Sequence, residues 1–115
     1  MRVDNLRQNK LDAVRAGSYP DNPALLHQWL AIAPGDNEDA EIIVKHFEHQ
    51  FDTLMATVLD ISIATQWRLS CLDAIFKPIR ALQLRSQCRL SEKTVSRLLH
   101  TLAMYRPELE RQLYL

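Results

Sequence analysis

The stretch AEIIVKHFEHQFDTLMATVLDI, running from Ala40 to Ile61, decides the fold. Its apolar residues Ile43, Phe47, Phe51, Leu54, Val58 and Ile61 recur at steps of 4, 4, 3, 4 and 3. An α-helix returns a side chain to one face every three or four residues, whereas a strand alternates with period two. The stretch therefore reads as a helix with a wide apolar seam, broadened by Met55 and Leu59. Upstream, Asp36 is placed to cap it and Asp39 follows three residues on, while Glu38 and Glu41 complement the positive end of the helix dipole. At the far end the β-branched run Asp60-Ile61-Ser62-Ile63-Ala64-Thr65 is expected to interrupt or bend the helix.

Outward from this seam the helical pattern continues in both directions. Downstream, Trp67, Leu69, Leu72, Ile75, Phe76, Ile79 and Leu82 form a second apolar stretch. Pro78 lies inside it, removes a backbone donor and crowds the preceding turn, so a kink or boundary is expected near Phe76. A further helix starts with Ser91 as N-cap and shows Val95, Leu98, Leu99, Leu102 and Ala103 on its apolar face, with Pro107 ending it or starting a final turn from Glu108 to Leu113. Upstream, a short helix from about Val3 to Ala16 ends at Gly17, a residue suited to a left-handed cap. After a turn at Ser18 to Asp21, Asn22 and Pro23 open a second helix over Leu25, Leu26, Trp29, Leu30 and Ile32, ending at Pro34-Gly35.

These elements predict an all-α fold: a small bundle of about five helices around a long, bent central segment, in a single domain spanning residues 1–115. Only two glycines are present, too few for the turns of an antiparallel sheet. An apolar fraction of 47%, with Trp29, Trp67, Phe47, Phe51 and Phe76, argues against disorder. No apolar run approaches the roughly 20 residues of a membrane span, so no membrane partner is expected. The polar start, Met1 to Lys10, carries no signal-peptide pattern. Cys71 and Cys88 lack zinc-site spacing and read as reduced thiols of a cytoplasmic protein.

Charge divides the chain. Residues 1–65 hold five lysines and arginines against ten acidic residues, and residues 66–115 hold nine against four, so a net charge of zero conceals halves of −5 and +5. Such asymmetry points either to a nucleic-acid or acidic partner for the basic half, or to two mutually attracting faces of one bundle. Within the basic half, the run Leu90-Ser91-Glu92-Lys93-Thr94-Val95-Ser96-Arg97-Leu98-Leu99 resembles the recognition helix of bacterial helix-turn-helix regulators, with Leu84, Cys88 and Leu90 as core positions before it. Arg85 and Arg89 stand where such units usually carry alanine and glycine. The resemblance, over residues 81–99, implies that Ser91 caps the recognition helix, that Lys93, Thr94 and Arg97 project from it, and that Arg85 and Arg89 hold phosphates.

Other chemistry is sparse. His46, His49 and Asp52 share a helix edge, but one helix alone does not converge the three or four ligands that a metal requires. His27 and His100 are isolated, and Arg85 and Arg89 beside Cys88 are placed to lower its thiol pKa without any catalytic spacing to support it. There is no phosphate loop, no nucleotide fingerprint and no paired acid–base motif; no cofactor, metal or small-molecule substrate is implied. The leading expectation is therefore a non-enzymatic regulatory protein: a helical dimer held by Phe47, Phe51, Leu54, Val58 and Ile61, whose basic C-terminal half contacts DNA. The alternative is a protein-interaction module, such as an adaptor, immunity or secretion-chaperone-like protein, without nucleic-acid binding. The same seam has a second reading as the monomer's own core.

Overall fold

The computed structural model describes residues 2–34, 39–85 and 89–114. Six helices account for most of them: α1 (Arg2–Ala16), α2 (Pro23–Leu30), α3 (Ala40–Leu59), α4 (Thr65–Asp73), α5 (Phe76–Arg85) and α6 (Arg89–Leu113). No strand occurs among the described residues. The Cα envelope measures 42 × 35 × 17 Å, about two helix layers thick. The long seam helix α3 is the centre, packed against α1, α4, α5 and α6.

The chain's punctuation explains the element boundaries. Gly17 has φ +62°, and the bonds from Gly17 N to Val14 O (3.2 Å) and from Ser18 N to Ala13 O (3.1 Å) close α1 as a Schellman cap. Pro23 occupies the first turn of α2, where a missing N–H leaves no bond broken. Helix α2 stops at Leu30, short of the expected Pro34-Gly35 boundary. Asp39, not Asp36, is the residue before α3; Asp36 and Glu38 lie outside the described residues. The β-branched run after Asp60 is a full break, with Ala64 preceding α4. Pro78 falls in the first turn of α5, so the expected break near Phe76 is a helix boundary. Pro107 neither ends α6 nor starts a separate turn: the helix runs through it. Leu98 and Leu102 before the proline and Leu109 and Leu113 after it are all buried, so packing on both sides holds the helix through its missing bond.

One apolar core joins all six helices, from Val14 of α1 and Leu26 of α2 to Leu109 and Leu113 of α6. Trp67 and Phe51 are its largest fully enclosed side chains. No described helix is long and apolar enough to cross a membrane.

Candidate functional site

The window read as helix-turn-helix does place two packed helices across a short connection, α5 and α6. The side chains assigned to DNA are distributed differently from expectation. Helix α6 begins at Arg89, so Ser91 lies inside its first turn and is not its cap. Ser91 and Thr94 are both buried. Their spacing gives the reason: residues 91, 94, 95 and 98 share one helical face, and Val95 and Leu98 turn that face into the core. Neither hydroxyl projects outward as a base-reading side chain would, and this corrects the sequence-based assignment. The side chain of Arg89, and Cys88 as a whole, lie outside the described part. Lys93 is exposed and has no ion-pair partner among the described residues.

The two remaining arginines of the set face α3. Arg97 pairs with Glu48, and the Arg85 guanidinium lies 5.5 Å from the centroid of the Phe47 ring. Other cations of the basic half are also engaged within the chain. Lys77 donates to Nδ1 of His27 at 2.8 Å, which fixes that nitrogen as the acceptor. Arg106 pairs with Glu110, and Arg111 with Glu108. Arg68 is buried; its Nε donates to Val58 O and its Nη2 to Gln112 Oε1, both at 2.8 Å. Val58 O is one of the last carbonyls of α3, so a cation there also faces the negative end of that helix. By charge alone Arg68 is only one more basic residue of the C-terminal half, although its place beside Trp67 in an apolar run is a readable sign of burial.

The seam assigned to a dimer belongs to the monomer. Phe47, Phe51, Leu54 and Val58 are all buried in the chain's own core. Ile61 lies past the end of α3 and is 79% exposed. The correction has a plain cause: α4, α5 and α6 all fold onto α3 and cover its apolar face.

On α3, burial and the neighbouring Glu48 carboxylate push the Asp52 carboxyl up from its ordinary range, with Arg97 and His49 acting in the opposite sense. No group of three or more His, Cys, Asp or Glu side chains among the described residues converges as a metal set. Burial pushes the Cys71 thiol up to about 12, far from a reactive thiolate.

Two surface features bear on function. Between α1, α2 and α3 lies a cavity of about 310 Å³ bordered by His46, His49 and Gln50. Elsewhere, Leu72 near the end of α4, Ile75 between α4 and α5, Phe76 at the start of α5, and Leu102, Leu109 and Tyr114 from α6 and its end frame a groove of about 230 Å³. Phe76 is 47% exposed and Tyr114 59% exposed, over a floor of buried Ile75 and Leu109. Asp73, Arg106 and Glu110 complete its lining. Phe76 was read only as part of an apolar run, and Tyr114 carried no periodic signal at the chain's end. Comparison with protein-family models, with curated proteins and with solved structures finds no match.

Proposed function

We propose that this chain is a non-enzymatic protein-interaction module that receives an apolar anchor side chain of a partner protein in the groove between the α4–α5 corner and the C-terminal half of α6. The observation that carries this reading is the groove itself: half-exposed aromatic side chains over a buried aliphatic floor, with charged groups beside them. Interface hot spots have this composition, a desolvated apolar centre with a polar rim. At about 230 Å³ the groove lies below the roughly 300–1,000 Å³ of small-molecule pockets and suits one large side chain.

The engagement of the basic half within the fold favours this reading over DNA contact. Phosphate binding draws on several outward cations, yet Arg97 and Arg85 are turned to Glu48 and Phe47. DNA contact through Lys93 and its neighbours on α6 is the competing proposal. One experiment separates them. A photo-crosslinking residue placed at Phe76, and separately at Lys93, is activated in cells, and the purified protein is titrated with a mixed-sequence duplex at roughly 50 and 200 mM salt. Protein adducts at position 76, reproduced with the purified partner, together with no duplex binding, support the proposal. Nucleic-acid adducts at position 93 with steeply salt-dependent duplex binding overturn it.

A further inference from the structure

The cavity between α1, α2 and α3 is independent of the groove, and its lining is chemically selective. Its volume of about 310 Å³ reaches the lower range of small-molecule sites. Leu11, Trp29 and Ile32 supply apolar walls, while Gln8, His49 and Gln50 supply polar atoms. Among the described residues, no Lys, Arg, Asp or Glu lines it. Against these walls a charged ligand would lose hydration without a countercharge, so they favour a neutral one.

Gln50 sharpens the chemistry. It is a polar residue on the core side of α3, only 3% exposed, one position from Phe51 in the seam. Its Nε2 is 3.4 Å from Leu30 O, and a carbonyl oxygen only accepts, so the amide nitrogen faces Leu30 and Oε1 points away. That Oε1 accepts no hydrogen bond from the described residues. No fully buried side-chain oxygen or nitrogen among them lacks a partner. The Oε1 is therefore reachable from open space, and Gln50 borders this cavity together with a smaller one of about 170 Å³ beside His27 and Lys77. In the smaller cavity the Lys77 ammonium is a competing charge; the described walls of the larger one include an indole and no Lys, Arg, Asp or Glu. Gln8 also borders the larger cavity, with its Nε2 donating to Asp12 at 2.8 Å. The ring of His46 is held in place from Nε2, which donates to Ile32 O at 2.9 Å for the same reason that Leu30 O fixes Gln50.

We propose that the cavity between α1, α2 and α3 is a binding site for a neutral, planar heteroaromatic molecule bearing a ring N–H, which lies against Trp29 and donates to Gln50 Oε1. The ring fills the apolar walls, and the donor satisfies an acceptor that the fold leaves open. The site rests on no residue of the proposed protein-docking groove, so either reading stands or falls without the other.

The test uses benzimidazole and 1-methylbenzimidazole, which share a ring and differ in the N–H. Both are titrated into the isotope-labelled full chain at mildly alkaline pH, where they are uncharged, and followed by backbone and side-chain amide NMR. Benzimidazole is expected to shift the Trp29, His49 and Gln50 resonances, with an affinity about tenfold better than the methylated ring, the worth of one hydrogen bond to an otherwise unpaired acceptor. Gln50→Met keeps the side chain's length and is expected to abolish that preference. Leu11→Phe, on the cavity's rim in α1, is expected to block both rings while leaving helix content unchanged, which keeps the test decisive if Gln50→Met unfolds. Equal affinity for the two rings overturns the proposal, as does the absence of shifts at millimolar probe. Shifts confined to Ala81 and Lys77 place the probe in the smaller cavity and also overturn it.

Discussion

The corner where α1, α3 and α4 meet and the groove where α4, α5 and α6 meet are built from similar residues and end as opposite surfaces. At the corner, distant segments are tied by directional bonds. The Trp67 indole N–H donates to Val14 O at 2.8 Å, Arg15 meets Asp60 at 2.9 Å, and Arg68 joins Val58 O to Gln112. Gly17 lets the backbone close on this assembly, since a Cβ there would stand 2.9 Å from Ile63 Cγ2 and 3.1 Å from Trp67 Cδ1. Trp67 and Arg68 are consequently buried. At the groove the ion pairs stay within α6, between Arg106 and Glu110 and between Arg111 and Glu108, and Phe76 and Tyr114 remain half exposed. Bonds between elements close a surface; bonds within one element leave it open for another molecule.

The strongest way to break the contrast is to remove the corner's anchor. Trp67→Ala deletes a fully buried aromatic and leaves Val14 O without its donor. Large-to-small changes of this kind cost about 3–5 kcal/mol, a large share of the roughly 5–15 kcal/mol of a folded domain, so the midpoint of a denaturant titration is expected to fall sharply. Retention of the wild-type midpoint would show that the corner does not hold the fold. Gly17→Ala probes the same place with a single methyl. The left-handed conformation costs an L-residue about 1–2 kcal/mol, and the approach of Ile63 and Trp67 adds to it, so a loss of roughly 2 kcal/mol is expected in the same titration. An unchanged midpoint would mean that the cap relaxes freely.

At the groove the expected order of effects reverses. Phe76 is already half in water, so Phe76→Ala forfeits only part of the roughly 1.5–3 kcal/mol of a fully buried side chain, about 1 kcal/mol. Partner binding is nevertheless expected to fall at least tenfold, the loss typical of a central anchor. Thermal unfolding and a binding titration with the crosslinked partner check the two numbers together. A variant that unfolds as readily as Trp67→Ala, or binds as well as wild type, removes the distinction between the two regions.

The corner was partly legible in the sequence and the groove hardly at all. Gly17 announced a left-handed cap because α1's apolar stripe stops before it, and Pro23 announced a helix start because proline is tolerated in the first turn, whereas Pro78 announced only a kink or a boundary. The seam from Ile43 to Val58 gave α3 by periodicity. Periodicity cannot say what covers a face, so Phe47 to Val58 were equally consistent with a dimer until α4, α5 and α6 were seen folded over them. Ser91 and Thr94 misled because a hydroxyl at helical spacing fits an outward recognition face and an inward stripe alike; only the phase set by Val95 and Leu98 decides. The groove combines α4, α5 and α6, and no local pattern encodes such a meeting. Gln50 was the missed signal, a polar side chain three residues after Phe47 and four before Leu54, on the seam itself.

The smallest expected effect concerns two carboxylates of α3, Asp52 within the helix and Asp60 at its C-cap, and their signs oppose. Asp60, at the corner, accepts from the Ser62 hydroxyl, pairs with Arg15 and accepts from the Ser62 backbone N–H, which together lower its carboxyl to about 2. A carboxyl depressed in the folded state stabilises the fold fully above the unfolded value near 4 and ceases to do so as pH falls from about 4 toward about 2. Asp60→Asn is therefore expected to lower the melting temperature near neutral pH and to converge with wild type at the acid end. Asp52, away from the corner and beside Glu48, is raised by burial and by that like charge. Its ionised form opposes folding above the unfolded value, so Asp52→Asn is expected to raise the melting temperature slightly near neutral pH, by no more than about 0.5 kcal/mol in stability. Melting curves of the three proteins between acid and neutral pH read both signs in one series. Matching shifts for the two variants would mean that the cross-element bonds at Asp60 contribute no more than an ordinary surface charge, and the contrast between corner and groove would then rest on packing alone.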